Sequence, residues 1–491
     1  MLANPNTSWI DEELEDLDLG HARRNRRCKL VMKRLAVDPQ ISIHAACNGA
    51  SEMVSATRFF DNQAVCEGDI LAPHRQATLR RMRQERVVLV IQDTTELDLT
   101  FKKLVVQGTG PLNEESRLGL LDHVQLAVTP RRLCLGVLGT KTWARDPATF
   151  RTCKQRKYDP IETKESYRWL EGYREACRVA AEVPGTQIIS VGDAENDIYE
   201  CFVEAEKARS PARAEWIMRA SENRATPERD EEAGPCTYRK LRDEIAGAKV
   251  IGKLVLKLPR TPQRKAREAE LTVRAKRIRL KPPYRKDDSL PEVTLNVIWV
   301  RETNPPPGEE PIEWLLLTSL PIKTFRQVKQ AIAYYAARWP VEVFFRTLKT
   351  GCRVEHLQLR TVARLRRCLM MYKIIAWRVL YVTMLGREAP DLPCDVLFSE
   401  EEWKSAWTIC SKEPLPRQAP PLKTFLPMIA RLGGYKGRKG DGPPGPKTMW
   451  IAIRRISDYA QAWLAFGPDR QEPSPCGDGA KSKPRQHLRG R

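Results

Sequence analysis

The stretch YAARWPVEVFFRTLK, residues 335–349, decides how the rest of the chain is interpreted. Pro340 predicts the start of a helix, because proline fits the first helical position and clashes in a helix interior. Glu342, Arg346 and Lys349 then fall at i, i+4 and i+7. One carboxylate and two cations are therefore expected on a single helical face.

Two further side chains that can bind phosphate, Tyr335 and Arg338, lie just upstream of this helix. A carboxylate that can hold a divalent metal, surrounded by groups that can hold phosphates, favours chemistry on a nucleic-acid backbone. The alternative is an ordinary amphipathic helix with an i,i+4 pair between Glu342 and Arg346. The stretch alone leaves both interpretations open.

The composition limits the class of protein. The chain has 491 residues, enough for more than one domain, and 42% of them are hydrophobic. Its 83 Lys and Arg residues outnumber 62 Asp and Glu residues, which leaves a formal charge of +21. This balance favours a polyanionic partner such as DNA. Ribosomal, membrane-surface and exported basic proteins share this sign of charge, so charge alone does not identify the partner.

The cysteines, the N-terminus and the apolar segments favour a cytoplasmic protein without a membrane partner. The thirteen cysteines are an odd number without a Cys-x-x-Cys pair, and the six histidines offer no zinc spacing, which fits reduced thiols. The N-terminus carries Asp11, Glu12, Glu13 and Glu15 where a signal peptide needs a basic and then an apolar run. The most apolar segment, 368–385, is interrupted by Lys373 and Arg378, which indicates a buried core helix.

Residues 1–80 are predicted to form a helical DNA-binding domain. The segment 19–36 is a strongly basic helix, and a second helix is expected around 51–60. The side chains expected to contact phosphates are Arg23, Arg24 and Arg27. The alternative for the basic helix is a charged face that meets only solvent.

Short β-branched runs then predict a mixed α/β sheet over residues 81–221. The predicted strands are 87–92, 124–128, 133–138, 187–192 and 215–219. A helix over about 164–181 separates the third strand from the fourth. Residues 222–303 are rich in Pro, Lys and Arg and are expected to be a basic β-rich insertion that contacts DNA, the alternative being a solvated edge.

The sheet is expected to resume in a second part of the core, 304–388. The remaining predicted elements are a strand at 313–320, a helix over about 324–337, an apolar helix over 362–387, and helical regions around 397–411 and 421–466. The last two regions form a predicted C-terminal helical domain, 389–466. The tail, 467–491, is rich in Gly, Pro, Ser and basic residues and is predicted to be disordered.

Two aspartates follow predicted strands. Asp93 follows the strand 87–92 and Asp193 follows the strand 187–192, and the ends of neighbouring strands converge in an open α/β sheet. Together with Glu342 they predict a two-metal site for phosphoryl transfer, because each metal needs hard oxygen ligands.

Each aspartate also has a structural alternative. Asp-Thr-Thr after a strand is a common turn or helix cap. In GDAEND, residues 192–197, Glu195 or Asp197 is the alternative functional acid. The order of the three acids, Asp, Asp and then Glu, therefore carries more information than any one of them.

These residues together carry a resemblance. The set DTT at 93–95, VGDAENDIY at 191–199 and Tyr-x2-Arg-x3-Glu-x6-Lys over 335–349 resembles the DDE transposases of insertion sequence family four, the group with the Tyr-Arg-Glu-Lys signature. Stretches that agree in order and place are TKESYRWL (163–170), IMRAS (217–221), NPPPGEEPIEWLLLTS (304–319) and IARLGGY (429–435). The resemblance runs from the N-terminal basic helix to about residue 466.

The resemblance implies an α/β fold with an RNase H-like, mixed-sheet catalytic core between helical N-terminal and C-terminal domains. Asp93, Asp193 and Glu342 would bind two Mg²⁺ ions, for which Mn²⁺ can substitute. The reactions implied are nicking of the transposon end, formation and opening of a DNA hairpin, and strand transfer into target DNA.

The resemblance also implies a set of DNA contacts. Tyr335, Arg338 and Lys349 would hold phosphates of the terminal nucleotides, with Arg346 in a matching basic position and Arg219 near the DNA end. Trp314 matches a tryptophan that stacks on a flipped base, which suits an unstacked base beside a tight bend. The alternative for Trp314 is a place in the core of the sheet.

By the same resemblance, the N-terminal helices would recognise inverted terminal repeats and the C-terminal helices would pair two subunits as a homodimer across a synapse, in a bacterial cytoplasm. Pro340 departs from the residue more common at its position, and region 413–446 diverges. The other functions considered are a nuclease that cuts without joining and a DNA-binding protein derived from a transposase without catalysis. The intact Asp93, Asp193 and Glu342 count against the latter.

Overall fold

The computed structural model describes residues 8–468 apart from 101–104, 151–157, 208–212, 231–233, 235–236, 259–265, 287–288 and 439. Almost all of the tail predicted to be disordered, 467–491, lies outside the described residues. A helical region comes first in the chain, a large sheet with packed helices follows, and a second helical region comes last.

The described residues form twelve strands and fourteen α-helices. The strands are β1 Val87–Asp98, β2 Gly110–Pro111, β3 Leu118–Val128, β4 Cys134–Trp143, β5 Gln187–Gly192, β6 Glu215–Arg219, β7 Ala225–Arg229, β8 Tyr238–Lys240, β9 Val250–Leu258, β10 Arg267–Leu280, β11 Val293–Glu302 and β12 Glu313–Thr318. The helices are α1 Trp9–Glu13, α2 Ala22–Val37, α3 Ile43–Ala46, α4 Ala50–Asp61, α5 Glu67–Met82, α6 Tyr167–Glu182, α7 Tyr199–Lys207, α8 Leu241–Ala246, α9 Phe325–Ala336, α10 Pro340–Arg346, α11 Val362–Glu388, α12 Glu400–Cys410, α13 Leu422–Ala430 and α14 Pro446–Phe466.

Strand β1 is an internal strand of the main sheet. It pairs antiparallel with β3 and parallel with β5, β4 pairs antiparallel with β3, and β6 pairs parallel with β5. Residues 88–91 of β1 are fully buried, as expected of a strand covered on both faces. The resulting order β4, β3, β1, β5, β6 is that of an RNase H-like core, which confirms the predicted mixed α/β fold.

The strands between residues 250 and 302 belong to the same sheet. Strands β9, β10 and β11 pair antiparallel in sequence, and β11 pairs with β12, which pairs with β6. The basic stretch expected as a β-rich insertion therefore continues the main sheet through β12. In β10 the side chains of Ala269, Leu271 and Val273 are buried and alternate with more exposed neighbours, as in a strand with one covered face.

Helix α11 is the central helix of the core. It is long and apolar enough to cross a membrane by length and composition, but 78% of its most apolar window is buried inside the protein. Lys373 in this helix is fully buried and its Nζ lies 2.7 Å from the Asp122 carboxylate of β3. Trp377 donates a hydrogen bond of 2.9 Å to the Cys134 carbonyl. This burial is that of a core helix, as the charged residues in the apolar segment predicted.

The C-terminal region contains more breaks than its sequence pattern indicated. The predicted helical region 421–466 is two helices, α13 and α14. After a 3-10 turn at Arg431–Gly433, Gly434 adopts a left-handed conformation with φ of 88°. Glycine adopts this conformation at little energetic cost, so the chain ends one helix here and reaches the next through a glycine-rich turn.

Candidate active site

Asp93 lies inside β1 and does not follow it. The prediction that the strand ends at residue 92 is wrong, because β1 stays paired with β3 as far as Asp98. The parallel pairing of β1 with β5 ends earlier, at the pair formed by Ile91 and Val191. Asp93 therefore lies two residues beyond the last pair, where β1 and β5 separate.

Asp193 occupies the equivalent place on the neighbouring strand. It comes two residues after Val191 and caps a 3-10 turn, Ala194–Asn196, with its Oδ1 accepting a 2.9 Å hydrogen bond from the Glu195 amide. The predicted position at the end of a strand is correct here. Both aspartates thus follow the end of the same parallel pairing by the same number of residues.

The other acids of this loop have different partners. Asp197 is buried and accepts hydrogen bonds of 2.9 Å from the amides of Ser221 and Glu222. It also forms a 2.7 Å ion pair with Arg224. Asp197 therefore stabilises the fold of the loop. The other alternative acid, Glu195, pairs with Arg168 at 2.7 Å but has a side chain that is 62% exposed.

Glu342 lies in the first turn of α10, which begins at Pro340 as predicted. The guanidinium of Arg338 lies between two of the three acids, with Nη1 2.6 Å from Asp93 Oδ2 and Nη2 3.2 Å from Glu342 Oε1. Arg338 comes in the turn between α9 and α10, so the bend at Pro340 places a cation directly against carboxylates from two distant segments.

The electrostatics of Asp93 reflect its carboxylate neighbours. Burial and repulsion from Asp193 and Glu342 raise its pKa to about 7, although Arg338 and the Thr94 amide act in the opposite direction. Burial lowers the pKa of Arg338, but the surrounding carboxylates outweigh this effect and raise it. The site therefore holds more negative charge than one guanidinium neutralises.

The three acids open into one cleft with basic side chains. The cleft is lined by Asp93, Thr94, Thr95, Asp193, Glu195, Glu342, Phe345, Arg346, Lys349 and Thr350. Lys349 comes from a π-helical turn, Thr347–Gly351, that continues directly from α10. The structure thus brings Glu342, Arg346 and Lys349 to one side of this helical segment, as their spacing predicted.

Three further predicted residues lie beside this cleft. Tyr335 is 9% exposed, and its ring makes an edge contact with Trp314 at a centroid distance of 6.1 Å. Burial raises the pKa of Tyr335, while Arg338 and Arg219 act against this rise. Arg219 is exposed at the end of β6, and Trp314 is partly buried in β12. Trp314 is thus neither a fully buried core residue nor remote from the site.

The basic helix of the N-terminal region is α2, at Ala22–Val37. Arg23 is exposed, Arg24 donates a 2.8 Å hydrogen bond to the Leu19 carbonyl, and Arg27 is partly exposed. The second predicted helix is α4, Ala50–Asp61. Arg23 and Arg27 are therefore available to solvent, whereas Arg24 also closes the turn before the helix.

The donor set suits a divalent metal, although its arrangement here is looser than a metal site. Carboxylate oxygens are the ligands that Mg²⁺ and Mn²⁺ prefer. Among the residues that the structure describes, no three His, Cys, Asp or Glu side chains lie close enough together to hold one metal ion. Arg338 occupies the position of a cation between Asp93 and Glu342. The chemistry of the donors therefore fits a metal, provided that Arg338 moves away.

Arg168 is a residue of this site that sequence reasoning missed. It lies on α6 and contacts the side chains of Thr94 and Glu195, each next to or near one of the aspartates. The stretch TKESYRWL, which contains it, was part of the resemblance. No spacing rule connects residue 168 with residues 94 and 195, because the contacts depend on how α6 packs across β1 and β5.

Family comparisons match most of the described chain in three segments. The model for Transposase DNA-binding matches residues 6–65, that for Transposase DDE domain matches 204–378, and that for Transposase Tn5 dimerisation domain matches 374–464. Three segments of this chain thus match domains of DDE transposases. The first and third matches support a DNA partner and dimer formation, and DDE domains generally use divalent metal ions. The DDE match includes Glu342 but begins after both aspartates.

Among solved structures, a piggyBac transposase synaptic complex with hairpin DNA aligns with 96% of this chain and 76% of that chain. The sequence identity is 10% and the TM-score is 0.33.

Proposed function

We propose that this protein is a cut-and-paste DNA transposase of the Tyr-Arg-Glu-Lys group, acting in a bacterial cytoplasm. It binds inverted terminal repeats, excises the element through a DNA hairpin and joins it to target DNA. The observation that carries the proposal is the shared position of Asp93 and Asp193, each two residues beyond the last β1–β5 pair, in one cleft with Glu342.

Asp93, Asp193 and Glu342 are the proposed ligands of two Mg²⁺ ions, for which Mn²⁺ can substitute. When bound, such ions activate the attacking oxygen and stabilise the leaving oxygen of a phosphoryl transfer. In the structure Arg338 pairs with both Asp93 and Glu342 instead. A DNA phosphate that attracts the guanidinium would free these carboxylate oxygens, since arginine binds phosphate and carboxylate with the same fork of donors.

The basic residues around the acids are proposed to hold the DNA backbone. Arg346 and Lys349 line the cleft on the side of Glu342. Tyr335 lies near both Arg338 and Arg219, and its ring contacts the partly exposed ring of Trp314. This arrangement supports phosphate contacts along one strand and leaves an aromatic face available for an unstacked base.

The terminal domains complete the proposed reaction. Helix α2 presents Arg23 and Arg27 for phosphate contacts in the segment matched as a DNA-binding domain. Helices α12, α13 and α14 lie in the segment matched as a dimerisation domain, and we propose that they join two DNA-bound subunits.

The test uses the full chain with Mg²⁺ and a linear DNA that carries the terminal repeats flanking its own gene. Products are separated on a denaturing gel, where a hairpin-ended fragment migrates as a covalently closed strand of twice the length. Hairpin ends that depend on the repeats are expected. Cutting of unrelated DNA to open ends only would indicate a nuclease, and repeat binding without any cleavage would indicate a DNA-binding protein.

A further inference from the structure

The side chain of Arg168 connects the two segments that carry the aspartates. Its Nε donates a 2.9 Å hydrogen bond to Thr94 Oγ1, and one terminal nitrogen lies 2.7 Å from Glu195 Oε2. The other terminal nitrogen donates to the Glu165 carbonyl at 2.9 Å. The side chain is only 9% exposed. All three guanidinium nitrogens therefore have partners in a nearly closed environment.

The residues that Arg168 holds are those whose backbone orients the aspartates. The Thr94 amide donates to Asp93 Oδ1 at 2.8 Å, and the Glu195 amide donates to Asp193 Oδ1 at 2.9 Å. The Arg168 guanidinium thus binds the side chains of Thr94 and Glu195. The backbone amides of these two residues in turn bind Asp93 and Asp193. The contacts on the β1 side and on the β5 side have the same form.

We infer that Arg168 is a positioning residue that fixes the separation and orientation of Asp93 and Asp193. The inference rests on the proposed function, in which these two aspartates share a metal site. A 2.8 Å hydrogen bond between the side chains of Gln92 and Ser190 links β1 to β5 before the aspartates. Arg168 links the two segments beyond that point, through Thr94 and Glu195. Because β1 and β5 are no longer paired beyond residues 91 and 191, their carboxylates need such a link to keep a constant separation.

The chemistry of arginine suits this task. A guanidinium is planar and holds its donors at fixed angles, whereas a lysine ammonium offers one point of attachment. The partner Thr94 is itself held, since its hydroxyl lies 2.9 Å from His123 Nδ1. The guanidinium carbon also lies 5.5 Å from the ring centroids of Trp143 and Trp169. Thr94 and Arg168 are therefore each held by further contacts besides the hydrogen bond between them.

The same helix offers a matched control. Arg174 on α6 pairs with Glu204 through hydrogen bonds of 2.9 and 3.1 Å. This pair also joins an arginine of α6 to a glutamate of another element, but among the described contacts it reaches neither aspartate segment. Arg174→Met removes an arginine-glutamate pair of α6 without changing the aspartates.

The experiment measures binding of Mn²⁺ alone to the full chain by electron paramagnetic resonance. Arg168→Met should weaken Mn²⁺ binding by about tenfold or more, with repeat binding and the melting temperature close to those of the unmodified chain. Arg168→Lys should restore part of the affinity, and Arg174→Met should change nothing. Unchanged Mn²⁺ affinity in Arg168→Met would overturn the inference. If that variant does not fold, Thr94→Val removes one of the two links and should weaken Mn²⁺ binding in the same direction, with an unchanged affinity again contradicting the role.

Failure of the proposed function has a different signature. If the unmodified chain binds Mn²⁺ with Arg168-dependent affinity but cuts no DNA, the transposase proposal fails and the positioning role stands. If the unmodified chain does not bind Mn²⁺, the positioning role of Arg168 is tested by the crystallographic separation of the Asp93 and Asp193 carboxylates. This separation should change in Arg168→Met, and an unchanged separation would contradict the positioning role.

Discussion

At the scale of single residues, Glu13 connects the N-terminal region to the core. It is 6% exposed and accepts a 2.6 Å hydrogen bond from His74 Nδ1 and two from Arg81. His74 Nε2 accepts from the Val137 amide at 2.9 Å, which defines a neutral imidazole with its proton on Nδ1. Burial accordingly lowers the pKa of His74, and the net charge of the cluster comes from Glu13 and Arg81.

This cluster predicts loss of stability in acid. Burial raises the pKa of Glu13, but the adjacent His74 and Arg81 outweigh it and lower the pKa from 4.5 to about 2. A lowered carboxylate pKa stabilises the fold above pH 4.5, and this contribution disappears as the pH falls towards 2. Chemical denaturation of Glu13→Gln should show a flatter decline of the unfolding free energy over this range.

The control for Glu13 is Asp16→Asn, which removes an exposed pair with Arg80 at 2.9 Å in the same region. It should retain most of the acid-dependent decline, because exposed ion pairs contribute little. If Glu13→Gln and the unmodified chain decline equally between pH 4.5 and 2, the cluster does not carry the stability assigned to it.

At the scale of elements, the π-helical turn Thr347–Gly351 joins three parts of the chain. It carries Lys349 into the cleft, its Thr350 carbonyl accepts a 3.3 Å hydrogen bond from Gln40, and Gly351 packs against the Trp450 ring of α14. A Cβ at Gly351 would lie 2.8 Å from this ring. The turn is thus fixed by contacts from the N-terminal and C-terminal regions.

We therefore expect Gly351→Ala to destabilise the protein by about 1–3 kcal/mol, because the added methyl overlaps a ring held by its helix. Thermal unfolding measures the change, and cleavage should fall with it if the displaced turn moves Lys349. Gly68→Ala is the matched control, since no atom outside its own helix lies within 4 Å of the new methyl and alanine favours a helix. Equal melting temperatures for the two variants would contradict the close packing at Gly351.

The elements show what the sequence could and could not predict. Pro340 correctly indicated the bend, and the β-branched runs gave β5 and β6 at their observed bounds. The extension of β1 past Asp93 was missed, because residues 93–98 are mostly polar, as in a loop, and are held by pairing with β3. The Arg338 bridge and the role of Arg168 depend on tertiary packing, for which a single sequence carries no periodic signal.

At the scale of the whole molecule, the formal charge of +21 is consistent with binding to a polyanion. The affinity of the full chain for terminal-repeat DNA should fall about 1,000-fold between about 50 and 200 mM salt if about six phosphates are contacted. Arg23→Ala should reduce the slope of log affinity against log salt by about 0.9. Lys33→Ala is the control, because Lys33 on the same helix already pairs with Asp11 at 2.5 Å. A flat salt response would contradict phosphate contacts by α2.

The central claim is that acids from three distant parts of the chain form one catalytic site, and Glu342→Gln tests it most directly. The variant keeps the size of the side chain but removes its charge, and Glu342 is exposed enough, at 41% of its side chain, to leave the fold unaffected. Glu400→Gln, which removes an exposed i,i+4 pair on α12, is the control. Cleavage of terminal-repeat DNA with Mg²⁺ is measured beside repeat binding. The account predicts that Glu342→Gln binds the repeats normally and cuts at least about 1,000-fold more slowly, about 4 kcal/mol of lost transition-state stabilisation, whereas cleavage at the rate of the unmodified chain would contradict it.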